Sequence, residues 1–322
     1  MTENTQIELL KAIRENIETV IVGKRNSIEL LIICLICGGH ALIEDVPGLG
    51  KTSMVSALAG SLDMSFQRIQ FTPDVLPSDI TGFTMYHATT GEKEFYPGAV
   101  MSQIILADEI NRTSPKTQSA LLQAMQEKQV TVDGTTHILP EPFMVCATQN
   151  PVELTGTYPL PEAQLDRFLV KISMGYPSHA DEITILERNR GEHPVEKIKP
   201  VAAAGDILKL RQEVEQIKCA QGILNYIVEL AEFTRNHNDV SLGISPRASI
   251  ALMHASMGMA LMEGRDHVLP DDVQEMIIPV LAHRLVLNPH AYVRNQSAGS
   301  ILDSALQSVP VPGISPSPAG RK

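Results

Sequence analysis

The residues most suited to chemistry lie in one glycine-rich segment, residues 44–52, EDVPGLGKT. Backbone N–H groups can close around a phosphate where Gly48 and Gly50 leave room, and a following helix N-terminus adds partial positive charge. Lys51 would reach the β- and γ-phosphate oxygens of a nucleoside triphosphate, and Thr52 would place its hydroxyl on Mg²⁺. The strict pattern has a glycine where this chain has Asp45, and we interpret that position as the least demanding of the set. An incidental Gly-Lys-Thr turn is the alternative interpretation.

Two further segments place polar residues directly after an apolar run. In IILADEINR, residues 104–112, the run would deliver Asp108 and Glu109 to the rim of an open α/β sheet, where ligands bind. Asp108 would hold the Mg²⁺ shell, and Glu109 would orient and deprotonate the water that attacks the γ-phosphate. In FMVCATQNP, residues 143–151, Asn150 is placed to hydrogen-bond the γ-phosphate or that water. Taken singly, the acids fit a solvated loop and Asn150 fits a turn before Pro151.

Short apolar runs alternate with helical stretches as far as about residue 175, and these elements must position the polar segments. The pattern is typical of an α/β protein whose parallel sheet is covered on both faces. The expected helix over 115–128 begins after the cap Ser114, with Pro115 in its first position. The pair Asp133-Gly134 within VTVDGTTHIL predicts a hairpin over 130–139. The expected strands are 41–43, 68–71, 104–107, 143–147 and 169–172.

Helical periodicity dominates from about residue 195 onward. The expected helices are 205–217, 220–236, 246–263 and 271–287, the last of them kinked by Pro279. We therefore divide the chain into an α/β core, residues 1–193, and an all-helical domain, residues 194–308. The tail, residues 309–322, is rich in proline, glycine and serine and is expected to be disordered.

Composition narrows the class of protein. The 26 basic residues are outnumbered by 37 acidic ones, and the net charge of −11 argues against general attraction to nucleic acid or anionic lipid. Cys34 and Cys37 lie within LLIICLIC, where we expect buried thiols; a redox or zinc site would need further ligands. That apolar run is far shorter than the span of about 20 residues that crosses a membrane. With no signal-peptide pattern at the N-terminus, we expect a cytoplasmic protein without a membrane span.

Six motifs in order resemble the MoxR family of AAA+ ATPases: EDVPGLGKT, RIQFTPDVLPSDITG, ADEINRTSPKTQSALLQAMQEKQVTVDG, ATQNP, GTYPLPEAQLDRF and GISPRAS. The resemblance extends from about residue 10 to residue 300, and Asp45 is compatible with it. It implies an AAA+ P-loop core, a five-stranded parallel sheet with helices on both faces, followed by a small all-α lid. It further implies an inserted hairpin and helix at about 79–100 and identifies 130–139 as the hairpin before sensor 1.

The resemblance also implies which residues bind nucleotide and metal. Val22 and Gly23 match the segment that lies against the adenine. Asp108 and Glu109 match Walker B, with Asp108 and Thr52 serving Mg²⁺. Walker A and its neighbours supply the remaining ATP contacts: Val46, Pro47, Gly48, Leu49, Gly50, Lys51, Thr52 and Ser53.

Three more residues complete the implied catalytic set of Glu109, Asn150, Arg167 and Arg247. Asn150 matches sensor 1, and Arg247 in GISPRAS matches sensor 2. From the sequence alone, Arg247 projects from a first helical turn, where a cation gains nothing from the helix dipole and so suggests an anionic ligand; a surface arginine with a carboxylate partner is the alternative. Arg167 in LDRF matches the arginine finger, which acts on a neighbouring protomer, and Arg112 is a weaker candidate for an interface contact.

The implied function is ATP hydrolysis by a hexameric ring that remodels or matures a protein client in the manner of a chaperone. The resemblance implies a partner with a von Willebrand factor A domain and, in some members, metal insertion. Two other functions stay open on sequence grounds. One is a switch that assembles on ATP with little turnover, and the other is a nucleic-acid motor, which the net charge disfavours.

Overall fold

Strands and helices alternate in the first half of the chain, and helices predominate in the second. The computed structural model describes residues 3–46, 48–87, 89, 91–150, 156–188 and 197–313. Its strands are β1 Ala41–Glu44, β2 Phe66–Gln70, β3 Gly82–Tyr86, β4 Lys93–Pro97, β5 Ile104–Asp108, β6 Gln129–Val132, β7 Thr135–Ile138, β8 Met144–Gln149, β9 Val170–Ile172, β10 Val240–Leu242 and β11 Val286–Leu287. Its helices are α1 Glu3–Glu18, α2 Arg25–Ile36, α3 Lys51–Ser61, α4 Pro77–Thr81, α5 Pro115–Glu127, α6 Glu162–Leu165, α7 His179–Arg188, α8 Ala204–Gln216, α9 Gln221–Arg235, α10 Pro246–Met262, α11 Pro270–Leu281, α12 Pro289–Val293 and α13 Ala298–Ser308.

The central element is a parallel sheet of five strands in the order β2-β5-β8-β1-β9, which confirms the predicted fold class. The three inner strands are almost wholly buried because helices cover both faces of the sheet. Strands that are neighbours in this sheet do not follow one another directly in the chain, so every connection between them is a crossover. The polar segments that follow β1, β5 and β8 therefore meet at one edge. We call it the carboxyl edge, where Glu44, Asp108 and Gln149 end their strands, and call the opposite edge the amino edge.

The two faces of the sheet pack against different helices. Ile104 and Leu106 of β5 belong to a cluster that includes α1, α2 and α3, whereas Ile105 and Ala107 face α5 in a second cluster. This alternation follows from the two-residue period of a strand. The first cluster continues without a break into the helices beyond residue 204, so that part of the chain shares a core with α1 and α2.

The helix expected over 271–287 was predicted too long. α11 ends at Leu281, a 3₁₀ turn covers Ala282–Arg284, and β11 pairs antiparallel with β10. The reason is tertiary, because the Arg284 guanidinium turns back to the carbonyls of Val280 and Phe168 at 2.7 and 2.8 Å, and no periodicity signals those partners. Pro279 lies inside α11, and its kink stays a prediction.

Two hairpins project from the core. β3 pairs with β4, and β6 pairs with β7 around Asp133 and Gly134, whose φ angles are +47° and +82°. The two hairpins contact each other where the Phe95 ring stacks on His137 with centroids 3.8 Å apart. They occupy the segments that the sequence analysis assigned to an insertion and to the hairpin before sensor 1.

The chain's tail is described only in part. Val309, which the sequence analysis placed in a disordered segment, is buried against the helical core. Residues 314–322 of the expected tail lie outside the described residues. Within the described part, every helix is too short or too polar to cross a bilayer.

Candidate nucleotide site

The phosphate loop leaves β1 and leads straight into α3. Gly48 and Gly50 have φ of +87° and +85°, in the left-handed region that favours glycine, and Gly50 stands at the N-cap of α3. A Cβ added at either glycine would meet no heavy atom within 4 Å, so the backbone borders open space. The first N–H groups of α3 have no acceptor within the helix. This open loop beside a helix N-terminus fits the phosphate chain of a nucleotide. Pro47 of the same loop lies outside the described residues.

Lys51 points back over this loop. Its ammonium donates to the backbone carbonyl of Asp45 at 2.8 Å. Burial lowers the pKa of Lys51, and the nearby carboxylates of Asp108, Asp45 and Glu109 oppose that shift. The lysine is thus a cation held among acids at the carboxyl edge, within reach of any anion bound in the phosphate loop.

The two acids after β5 are fixed by different partners. Asp108 is buried; Thr148 Oγ1 donates to its Oδ1 at 2.6 Å, and Arg68 Nη2 donates to its Oδ2 at 2.7 Å. Glu109 adopts φ of +56°, uncommon for a residue with a side chain, and its N–H donates to the same Thr148 hydroxyl at 2.9 Å. Thr148 therefore sets the relative positions of both acids.

The Glu109 carboxylate is held by two donors at its Oε2. Gln70 Nε2 donates to it at 2.8 Å, and Arg112 Nε lies 3.1 Å away. Arg112, which the sequence analysis gave as a candidate interface contact, thus contacts Glu109 of its own chain. Asn150 follows β8 directly and is buried, one strand away from Asp108. The carboxyl edge brings together the phosphate loop, both acids and Asn150.

The oxygen ligands at the carboxyl edge also suit Mg²⁺. Within the described residues no cluster of three or more histidine, cysteine or acidic side chains could hold a metal by itself. Mg²⁺ commonly takes one or two protein oxygens and completes its shell with phosphate and water. The Thr52 hydroxyl and the Asp108 carboxylate are such oxygen donors, and Arg68 is the competing cation at Asp108.

The two predicted arginines lie elsewhere. Arg167 precedes β9, and the Leu169 N–H nearby donates to His40 O ahead of β1 at 2.8 Å, which places Arg167 at the amino edge. Arg167 Nη1 donates to the Leu122 carbonyl at 2.7 Å. Arg247, about two-thirds exposed at the start of α10, lies 3.6 Å from Asp166. The sequence analysis gave one catalytic set, and the structure divides it between opposite edges of the sheet.

Val22 and Gly23 lie in the turn between α1 and α2. Gly23 has φ of +69°, and a Cβ there would overlap the Asp181 carboxylate of α7, with the closest approach 2.3 Å. The backbone conformation therefore favours glycine at this position, and a larger residue would also displace the Asp181 carboxylate. The contact of this turn with adenine stays a prediction.

Sequence reasoning missed three residues at the carboxyl edge, Arg68, Gln70 and Thr148, and one at the amino edge, Asp166. Arg68 and Gln70 alternate along β2, which pairs with β5 so that Gln70 stands opposite Asp108. Polar side chains at alternate positions of a strand were a usable signal, since they share the face that carries Asp108. Thr148 likewise precedes Asn150 by one strand period. Asp166 gave no signal, because its partners Arg247 and Arg284 lie on distant helical segments.

Comparison with known proteins agrees with this geometry. The model of the "ATPase family associated with various cellular activities (AAA)" matches residues 40–170, and that of the "AAA lid domain" matches residues 232–305. The chain is 41% identical to Chaperone MoxR1 of Mycobacterium tuberculosis over 94% of this chain and 82% of the relative. It belongs to the MoxR family of AAA+ ATPases.

Other relatives of this MoxR-family chain cover nearly its full length. The uncharacterized protein YeaC of Bacillus subtilis is 53% identical over 92% of this chain and 93% of the relative. A crystal structure of a candidate ATPase from Cytophaga hutchinsonii superimposes with a TM-score of 0.89, at 39% identity and 96% coverage of each chain. The similarity therefore extends over the α/β core and the helical part together.

Proposed function

We propose that this MoxR-family chain hydrolyses ATP with Mg²⁺ as a ring, and that each site is completed by arginines of the neighbouring protomer. The observation that carries the proposal is the division of the functional residues between two edges of one sheet. The phosphate loop, Asp108, Glu109 and Asn150 lie at the carboxyl edge, whereas Arg167 and its neighbour Asp166 lie at the amino edge.

The residues at the carboxyl edge would bind the triphosphate and Mg²⁺ and orient the attacking water. The N–H groups at the start of α3 and the Lys51 ammonium would hold the β- and γ-phosphates, and Thr52 and Asp108 would hold Mg²⁺, which neutralises phosphate charge. Asn150 is placed to orient water at the γ-phosphate. Glu109 would accept the proton of that water through Oε1, because the contacts with Gln70 and Arg112 are both made by Oε2.

The position of Arg167 supports a role at a neighbouring protomer's site rather than at the site of its own chain. Three- and four-residue strands separate the two edges, which at about 3.3 Å per residue is a distance of about 10 Å or more through a packed sheet. Arg247 lies beside Asp166 at the same edge, so we assign both arginines to the next protomer's nucleotide. Arranged head to tail, such protomers close into a ring, and the family resemblance favours six.

The client is a protein rather than a nucleic acid. The net charge of −11 disfavours a polyanion, and the relative from Mycobacterium tuberculosis is named a chaperone. We propose that the ring remodels or matures protein complexes, metal insertion among the possible tasks, with an adaptor that carries a von Willebrand factor A domain. The cysteines of the described chain are free thiols, which suits the reducing cytoplasm.

Steady-state turnover of the wild type, Glu109→Gln and Arg167→Ala tests the proposal. Both variants should bind ATP as tightly as the wild type and lose at least about a hundredfold in turnover. The matched control Glu229→Gln changes an exposed carboxylate on α9 and should keep full turnover. Turnover in Glu109→Gln equal to that of the wild type would contradict the proposal.

One observation favours the alternative of an ATP-gated switch. Gln70 and Arg112 hold Glu109 through Oε2, and if these contacts keep the carboxylate turned away from the γ-phosphate, the water is left without a base. Equal, negligible turnover in the wild type and Glu109→Gln, together with ATP-dependent assembly, would establish the switch instead.

A further inference from the structure

Asp45 stands where the phosphate-loop pattern has a glycine, and its side chain has a defined set of partners. The carboxylate is buried and accepts from the Met174 N–H, from Ser173 Oγ at 3.2 Å and from the Gly175 N–H at 3.3 Å. All three donors belong to the loop that follows β9, residues 173–176, which we call the strap. A glycine at position 45 would leave the strap's N–H groups without this acceptor.

The carbonyl groups of the strap are held by a cation. Lys24, next to the Val22–Gly23 turn, donates from its ammonium to the carbonyls of Met174, Gly175 and Tyr176 at 2.7, 3.0 and 2.9 Å. Gly175 has φ of +61°, a left-handed conformation that suits glycine. The Lys24 cation thus binds the carbonyl groups, and the Asp45 anion the N–H groups, of one short backbone segment.

The main chain of Asp45 is fixed as well. Its N–H donates to Gln149 O at 3.3 Å, and its carbonyl accepts from Lys51 Nζ at 2.8 Å. The first residue of the phosphate loop is therefore anchored through both its backbone and its side chain. The carboxylate oxygens are occupied by N–H and O–H donors of the strap, which limits their repulsion of a triphosphate.

We propose that Asp45 is a positioning residue: through the strap it sets the path by which the phosphate loop leaves β1, and with Lys24 it ties that path to the Val22–Gly23 turn. This inference rests on the proposed nucleotide site. It reverses the interpretation from sequence, in which position 45 was the least demanding of the loop. Substitution by the glycine of the strict pattern should therefore impair binding rather than preserve it.

Calorimetric titration with Mg²⁺–ATP at low temperature, where turnover is slow, separates the two views. Asp45→Gly should weaken binding at least tenfold, and Asp45→Asn, which keeps the shape but loses one acceptor, at least threefold. Asp272→Asn is the control, since Asp272 is also a buried aspartate that accepts a backbone N–H, from Leu269, and it should bind as the wild type does. Binding of Asp45→Gly within twofold of the wild type would overturn the inference. If Asp45→Gly does not fold, the same limit applies to Asp45→Asn.

A double-mutant cycle tests the strap itself. Lys24→Met should weaken binding severalfold in the wild type and have little further effect in Asp45→Gly, because the strap no longer contacts a side chain of the loop there. Additive effects would contradict coupling through the strap. Lys51→Ala separates the two proposals. If the wild type binds no ATP, the proposed function fails and this inference with it. If only Lys51→Ala loses binding while both Asp45 variants keep it, this inference alone fails.

Discussion

Asp166 links the helical part of the chain to Arg167 at the amino edge. Replacing its carboxylate by a neutral group should lower the rate of ATP turnover and leave nucleotide binding unchanged. Its carboxylate pairs with Arg284 at 2.8 Å and lies 3.6 Å from Arg247, and it directly precedes Arg167. Arg284 is only 8% exposed. The change Asp166→Asn keeps the side-chain shape while it removes the charge that faces this buried guanidinium.

The cost follows from the burial. Removing one partner of a buried ion pair costs about 3–5 kcal/mol, but the Asp166 side chain is 22% exposed and Arg284 keeps its carbonyl acceptors, so we expect about 2–3 kcal/mol. At about 2.1 cal/mol/K of unfolding entropy per residue, that lowers the melting midpoint by about 4 °C. Arg247 loses its carboxylate partner, and the residue before Arg167 loses its ion pair with Arg284. Turnover should therefore fall at least about tenfold, whereas ATP affinity at the opposite edge should not change.

The assay combines thermal unfolding, calorimetric titration with ATP and turnover at saturating ATP, all well below the melting midpoint. Asp272→Asn is the control here too, because it breaks the pair with Arg265 at 2.5 Å in the same helical part without touching the amino edge. It should lose comparable stability and keep full turnover. If Asp166→Asn loses stability but keeps turnover, or if its turnover falls only as far as its ATP affinity does, the positioning role is refuted.

Three further outcomes are expected. Burial lowers the pKa of His40 to about 4, so between pH 6.5 and pH 4 this residue binds more protons in the unfolded chain than in the folded one. The stability that His40 contributes should be fully present above pH 6.5 and fall by about 3 kcal/mol as the pH drops through this window. An unchanged dependence of stability on pH in His40→Asn would contradict this. Gly258→Ala should destabilise by about 1–3 kcal/mol in urea unfolding, because its Cβ would lie 2.6 Å from Cys37 Sγ; a neutral effect would refute the close packing of α10 on α2. Arg68→Ala removes the cation that competes for Asp108, so turnover should reach half its maximum at a lower Mg²⁺ concentration, and a higher one would show that Arg68 helps to hold the metal site.

The sheet and the phosphate loop were predictable because their signals are local. Fully buried parallel strands are nearly continuous apolar runs, and Gly48 and Gly50 mark positive φ angles that side chains disfavour. The helix over 115–128 was likewise signalled by its own cap, where Ser114 accepts from the Thr117 N–H. Each of these features depends on residues only a few positions apart.

What escaped prediction depends on strand order and register. Gln70 contacts Glu109 only because β2 lies beside β5 in that register, and Asp45 meets the strap because β9 lies beside β1. The position of Arg167 also depends on strand direction. It precedes β9 and lies far from the nucleotide site because β9 runs parallel to β1, and the motif LDRF carries no information about strand direction. The spacing of polar and apolar residues along the sequence does not show which strands become neighbours, so it cannot predict these contacts.

The central claim is that Arg167 completes the nucleotide site of an adjacent protomer, and mixed rings test it most directly. Lys51→Ala removes nucleotide binding and Arg167→Ala removes the arginine, so each pure variant should be inactive. A random equal mixture joins an intact Lys51 site to an intact Arg167 at about a quarter of the interfaces, and turnover should recover toward that fraction. Arg235→Ala, which also removes an arginine bonded to a backbone carbonyl, should stay active unmixed. No recovery at any mixing ratio, with mixed rings verified by native mass spectrometry, would contradict the claim.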